Sequence, residues 1–180
     1  ERVAVNISGG LVERGFNVDL VLVDAHGRLS SELHSGVNVV DLSSDRVLTS
    51  IPKLSMYLWR QNPDVLYSMM PHNNTAAYLA HKASRSSACF VPSEHNMPTS
   101  DLNSIKDILL LCASIPVHAY SDHSIAVSKG VRDEISRIAR LGPDDISVVY
   151  NPIVTDNLRE LASEPPSHPW FDEATTIVST

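Results

Sequence analysis

Short apolar runs alternate with longer stretches of helical period along almost the whole chain, and few folds accommodate that alternation. Val3, Ile7 and Leu11 recur at helical spacing, and Gly15 follows them as a C-terminal cap. Residues 18–23 and 37–42 then read as strands joined by a polar connection. A helix is expected over about 49–60, with Pro52 in its first turn and Ile51, Leu54 and Leu58 on one face. Residues 64–69 read as strand, 74–84 as an Ala-rich helix and 88–91 as strand. A helix from near Ser104 should kink or end at Pro116, whose nitrogen cannot donate to the carbonyl of Cys112. A short strand at 125–127 leads through Ser128, a candidate N-cap, into a helix over 129–141 that stops at Gly142-Pro143. Residues 146–150 read as strand, 156–163 as helix, 164–174 as linker and 176–179 as the start of a further strand.

Several of these strands are continuous apolar runs rather than alternations of apolar and polar residues. Strands of that kind are buried on both faces, so the fold class is α/β: a Rossmann-like parallel sheet with helices packed above and below it.

Charge and composition exclude some functions. With 14 Lys and Arg against 21 Asp and Glu, the net charge is −7, and a clustered basic footprint for nucleic acid is not expected. No apolar stretch is long enough to cross a bilayer: the most apolar run, 108–113, is soon followed by Pro116 and His118. No signal peptide is legible, and neither is a basic amphipathic helix. The two cysteines, Cys89 and Cys112, lie in apolar contexts without metal-ligand spacing and read as reduced core residues of a cytosolic protein. There is no Gly-x-Gly-x-x-Gly after a strand, no phosphate-binding P-loop and no His-Glu-x-x-His, so no cofactor or metal site is expected.

In an open parallel sheet, ligands bind beyond the carboxyl ends of the strands. The residues that follow the strands are Asp24 and His26; His72, Asn73 and Asn74; Ser93, Glu94, His95 and Asn96; Ser128, Lys129 and Gly130; and Asn151. Asn, Ser and Asp in such places often do no more than cap the next helix. Glu94-His95 is different, because neither side chain is a preferred connector and an imidazole can donate, accept or titrate near neutral pH. The remaining histidines, His34, His81, His118, His123 and His168, read as surface or internally satisfied residues.

Glu1-Arg2-Val3-Ala4-Val5-Asn6, the segment from Leu11 to Val18, Ser93-Glu94-His95-Asn96, the segment from Ile125 to Val131 and Val149-Tyr150-Asn151-Pro152 occur in that order. In this the chain resembles the N-terminal domain of family 4 glycosyltransferases. His168-Pro169-Trp170-Phe171 is similar to an interdomain linker of the same family. The resemblance implies a GT-B enzyme, in which two Rossmann-like domains face each other across a cleft. Such an enzyme moves a sugar from a nucleotide-sugar donor to an acceptor hydroxyl with retention of anomeric configuration. Residues 1–163 would be the acceptor-side domain, and 164–180 the linker and the start of a donor-binding domain. His95 is implied as the catalytic residue facing the transferred sugar. Glu94 is implied as its tautomer-setting or acceptor-binding neighbour, and His72, Asn73, Asn96 and Asn151 as substrate contacts. The implied partners are a nucleotide sugar, bound mainly by the second domain, and a sugar or lipid-linked sugar acceptor. The implied setting is cytoplasmic, with room for peripheral contact with the inner face of the plasma membrane, in polysaccharide, lipopolysaccharide or glycolipid synthesis.

The family pattern also places a first strand and a Gly-Gly loop ahead of Glu1, the strand lying between 18–23 and 64–69. On that expectation residues 1–180 are a fragment, inactive alone and prone to self-associate through unpaired strands. Two other readings stay open: a nucleotide-sugar epimerase on the same scaffold, and a sugar-binding module without catalysis.

Overall fold

The structure is a computed structural model that describes residues 2–25, 32–97, 99, 104–153 and 156–164. It runs α1 (Arg2–Val12), β1 (Val18–Leu22), β2 (Val37–Asp41), α2 (Val47–Gln61), β3 (Val65–Met69), α3 (Pro71–Ser84), β4 (Cys89–Glu94), α4 (Ile105–Ala119), β5 (Ser124–Ala126), α5 (Lys129–Ala139), a single 3-10 turn at Pro143–Asp145, β6 (Ile146–Val148) and α6 (Asp156–Ser163). The expected strand at 176–179, the linker at 164–174 and the motif at 168–171 fall outside the described residues, apart from Glu164.

Among the described residues every strand pairing is parallel. β3, β4, β5 and β6 lie side by side in chain order in one sheet, and β1 pairs with β2 in a second. The α/β class read from the sequence therefore holds. Among the described residues β1 and β3, which the family resemblance sets on either side of one further strand, each pair along one edge only.

On one face of the four-stranded sheet Phe90 of β4 is almost wholly enclosed, packed with Ala77 of α3 and Val117 of α4. Its ring stacks on His81 at 5.8 Å and tilts against Tyr78 at 6.3 Å between centroids. A second cluster joins Ala126 and Ile146, on β5 and β6, to Val131, Ile135 and Ala139 of α5. Together these clusters clamp α3, α4 and α5 against the sheet and hold its strand ends in register.

The element boundaries that differ most from the expectation lie beside prolines. α2 starts two residues before the expected 49, so Pro52 lies inside the helix rather than in its first turn. α3 starts at Pro71, three residues early, because proline's fixed φ suits the first helical position. Pro116 does not end α4, which continues to Ala119. β4 runs to Glu94 rather than stopping at Val91, with Pro92 tolerated inside it. Gly15 takes φ +85 after α1, the left-handed geometry that its capping role requires.

One other expectation is corrected. Cys89 and Cys112 are both free thiols, as expected, but both are exposed rather than buried in the core. Cys89 opens β4 one residue before the inward-facing Phe90, and Cys112 lies off the Ser114–Val117–His118 face that α4 buries. α2 contains no acidic residue, buries Ser50 and Leu58, and exposes Leu48, Met56 and Trp59 beside Lys53 and Arg60.

Candidate functional site at the carboxyl ends of β3 to β6

Because β3, β4, β5 and β6 are adjacent and parallel, the residues that follow them share one rim of the sheet. His72 and Asn73 sit in the first turn of α3, directly after β3. His95 follows the last residue of β4, and Asn96 follows His95. Asn151 lies three residues beyond β6, in a segment tied to α1 by the Asn6 side-chain amide, which donates to the Pro152 carbonyl at 2.8 Å.

Exposure separates these residues. His72 and Asn96 are exposed, whereas Asn73, His95 and Asn151 are half-buried. The His95 ring lies 3.2 Å from the Ser93 hydroxyl through Nε2. Burial pushes its pKa below the ordinary value, against a smaller upward pull from Glu94, so the imidazole is neutral at pH 7. A neutral ring keeps a lone pair for a hydroxyl or for developing positive charge, which an imidazolium would repel.

Glu94 is placed differently from the expectation. It is the last residue of β4, 1% exposed, and its side chain turns into the protein. Glu94 Oε2 lies 3.3 Å from His118 Nε2 and 3.5 Å from the Asn74 amide nitrogen. The hydrogen-bonding neighbour of His95 is thus Ser93, and the partner of Glu94 is a histidine on α4.

Asn74 is neither a cap nor a rim residue. It is fully buried, accepts from the Ser68 hydroxyl at 2.8 Å and donates to the Ser93 carbonyl at 3.0 Å. Those bonds join the ends of β3 and β4 through the first turn of α3. Ser128 is a cap: its hydroxyl accepts from the Val131 amide at 3.3 Å, and Lys129 and Gly130 lie exposed in the first turn of α5. Asp24, beyond β1, is exposed, and His26 lies outside the described residues.

Sequence reasoning gave Ser93 no role beyond its place after the strand, read His118 as a surface or internally satisfied residue, and did not single out Tyr67. Tyr67 of β3 is half-buried, and burial raises its hydroxyl pKa while a hydrogen bond from the Ser93 side chain acts the other way. His118 is 1% exposed. Its spacing from Pro116 and Ser124 carries no motif, and only the packing of α4 on β4 brings it to Glu94. Among the described residues, no three His, Cys, Asp or Glu side chains converge as metal ligands would, and no helix is long and apolar enough to cross a membrane.

A model of the family described as Glycosyltransferase Family 4 matches residues 1–157. The chain belongs to glycosyltransferase family 4. A search of curated proteins finds no match. Among solved structures, the chain is similar to the apo form of the lipopolysaccharide outer core galactosyltransferase WaaB, with a TM-score of 0.50 and 20% identity over 66% of this chain. The match spans 32% of that structure, and at this identity it speaks to the fold alone.

Proposed function

We propose that this chain forms the acceptor-side domain of a retaining glycosyltransferase that takes a sugar from a nucleotide-sugar donor. The observation that carries the proposal is the neutral, half-buried His95 at the carboxyl end of β4, in a chain that matches family 4 over residues 1–157. In sugar transfer, positive charge builds at the anomeric carbon as the leaving diphosphate departs. A neutral imidazole edge can accept a hydrogen bond from a sugar hydroxyl and orient its dipole toward that charge. His72, Asn73, Asn96 and Asn151 line the rest of the rim and supply donors and acceptors for acceptor hydroxyls. On this reading a second domain binds the nucleotide and neutralises the diphosphate. Residues 1–163 alone then hold acceptor without turning over donor, in the cytoplasm and in reach of lipid-linked acceptors at the inner face of the plasma membrane.

An epimerase on the same scaffold needs acid and base carboxylates near the sugar. The obvious candidate from the rim, Glu94, is enclosed and committed to His118, which favours the transferase.

The test is a panel of nucleotide sugars offered to the full-length protein with product detection. We expect transfer with at least one donor, and His95→Ala to lower turnover by about 10²-fold or more while nucleotide affinity stays nearly unchanged. Full turnover in His95→Ala would remove the assignment of that residue. Nucleotide-sugar binding without transfer or hydrolysis would leave the sugar-binding module.

A further inference from the structure

The buried contacts behind the strand tip fix where one proton must lie. The Ser121 hydroxyl is 2.9 Å from the His118 carbonyl oxygen, which can only accept, so Ser121 is the donor. Its proton thus committed, Ser121 Oγ can serve Ser124 Oγ, 3.0 Å away, only as an acceptor. That contact takes the Ser124 proton. Ser124 Oγ then faces His118 Nδ1 at 3.0 Å with lone pairs alone, so Nδ1 must carry hydrogen. The last contact, His118 Nε2 to Glu94 Oε2 at 3.3 Å, is a hydrogen bond only if a proton lies between the two atoms. It is either an imidazolium donating to a carboxylate or a carboxylic acid donating to neutral imidazole. In both forms the pair is neutral overall, which suits two side chains that are each 1% exposed.

From this geometry we propose that Glu94 and His118 form a one-proton clamp that positions the tip of β4, making both of them positioning residues for His95. The clamp is anchored on every side. Asn74 holds the Ser93 carbonyl and reaches Glu94 Oε2, and the Val127 amide donates to the Glu94 carbonyl at 3.2 Å. Ser124 belongs to β5, whose ladder pairs Ser93 with Ile125 and Glu94 with Ala126. His95 is the next residue along the chain, so its backbone starts from a peptide held on both sides. Glu94 thus acts on the site through the position of its neighbour and not by touching sugar. Its second oxygen, Oε1, is buried and has no hydrogen-bond partner among the described residues. The contacts of Oε2, the His118 one first and the longer Asn74 one after it, therefore keep the carboxyl group inside. The inference rests on the transferase reading only for its consequence in turnover; the proton placement stands apart from it.

The experiment compares Glu94→Gln and Glu94→Ala in the full-length protein. Imidazole nitrogens are followed by long-range proton–nitrogen NMR, alongside kcat and KM. With its amide nitrogen where Glu94 Oε2 lies, the Gln side chain can donate to Nε2 of a neutral His118, so that contact survives without its shared proton; it gives up only the long 3.5 Å contact from Asn74, which still holds the Ser93 carbonyl. In wild type and Glu94→Gln, His118 is expected to keep hydrogen on Nδ1, with the His95 resonances unmoved. Glu94→Ala is expected to shift the His95 resonances and lower kcat by ~10-fold or more with KM little changed, and Glu94→Gln to restore most of that loss. A wild-type His118 with bare Nδ1 would overturn the proton assignment. A kcat loss in Glu94→Gln equal to that in Glu94→Ala, with His95 resonances unmoved, would overturn the positioning role. If Glu94→Ala does not fold, Ser124→Ala replaces it. That variant removes the acceptor of Nδ1–H together with the donor to Ser121 while leaving Glu94 in place, and an unchanged His118 spectrum would refute the chain of donors. Absence of transfer with every donor would refute the transferase reading while the spectra still decide the clamp.

Discussion

Replacing Asn74 by alanine tests the claim that buried polar bonds, more than apolar packing, join the ends of β3 and β4. The amide is fully enclosed and makes two good bonds, from the Ser68 hydroxyl at 2.8 Å and to the Ser93 carbonyl at 3.0 Å. Its 3.5 Å contact with Glu94 is too long to add much. Truncation leaves the Ser68 hydroxyl and the Ser93 carbonyl buried without partners, at about 1–3 kcal/mol each. Alanine's better helix propensity returns about 0.5 kcal/mol at this first-turn position. The net loss is about 2–5 kcal/mol, a large share of the roughly 5–15 kcal/mol by which domains are stable. Urea denaturation should show the midpoint falling with an unchanged slope. Ser68→Ala should cost about 1 kcal/mol alone, and the double variant should cost less than the sum, because each single change strands the other partner. A loss for Asn74→Ala below about 1 kcal/mol, or strict additivity with Ser68→Ala, would refute the argument.

Further outcomes follow from the same contacts. Phe90→Ala should cost about 3–5 kcal/mol in denaturant titration, because a ring 1% exposed is lost between α3 and α4. Ser128→Ala should cost about 1 kcal/mol and Ser128→Gly only a few tenths, since the hydroxyl caps the Val131 amide while glycine still suits the N-cap backbone. His95 should titrate by NMR with a midpoint below the ordinary histidine value, because burial disfavours the imidazolium. Between that midpoint and the ordinary value the unfolded chain binds more protons than the folded one. Stability from this group is therefore complete above the ordinary value and is lost as pH falls through the folded midpoint. His95→Gln should flatten that part of the stability–pH curve.

Much of the fold was legible because a short apolar run bounded by turn residues needs no partner to be recognised, even in β2, where Asn38, Val39 and Asp41 are exposed. β1, β2, β3 and β5 lie within a residue or so of where the runs place them, and α5 carries the expected Ser128 cap. The boundaries at Pro52, Pro71, Pro92 and Pro116 were less legible. Proline states which donor is lost, and only the surrounding packing decides whether the element continues without it. Likewise the apolar neighbours of Cys89 and Cys112 do not reveal which side of the strand or helix turns outward.

The sequence alone determined the order of elements, their parallel class and the residues that follow each strand, because these depend on composition read locally along the chain. It also singled out His95. Tertiary structure alone decided that Glu94 turns inward, that Asn74 spans β3 and β4, and that His118 closes the contact from α4. These partners lie between 6 and 24 residues apart along the chain, and no periodicity encodes them. A buried polar group is satisfied by whatever donor or acceptor the packing of layers delivers, and that delivery is a property of the assembled fold.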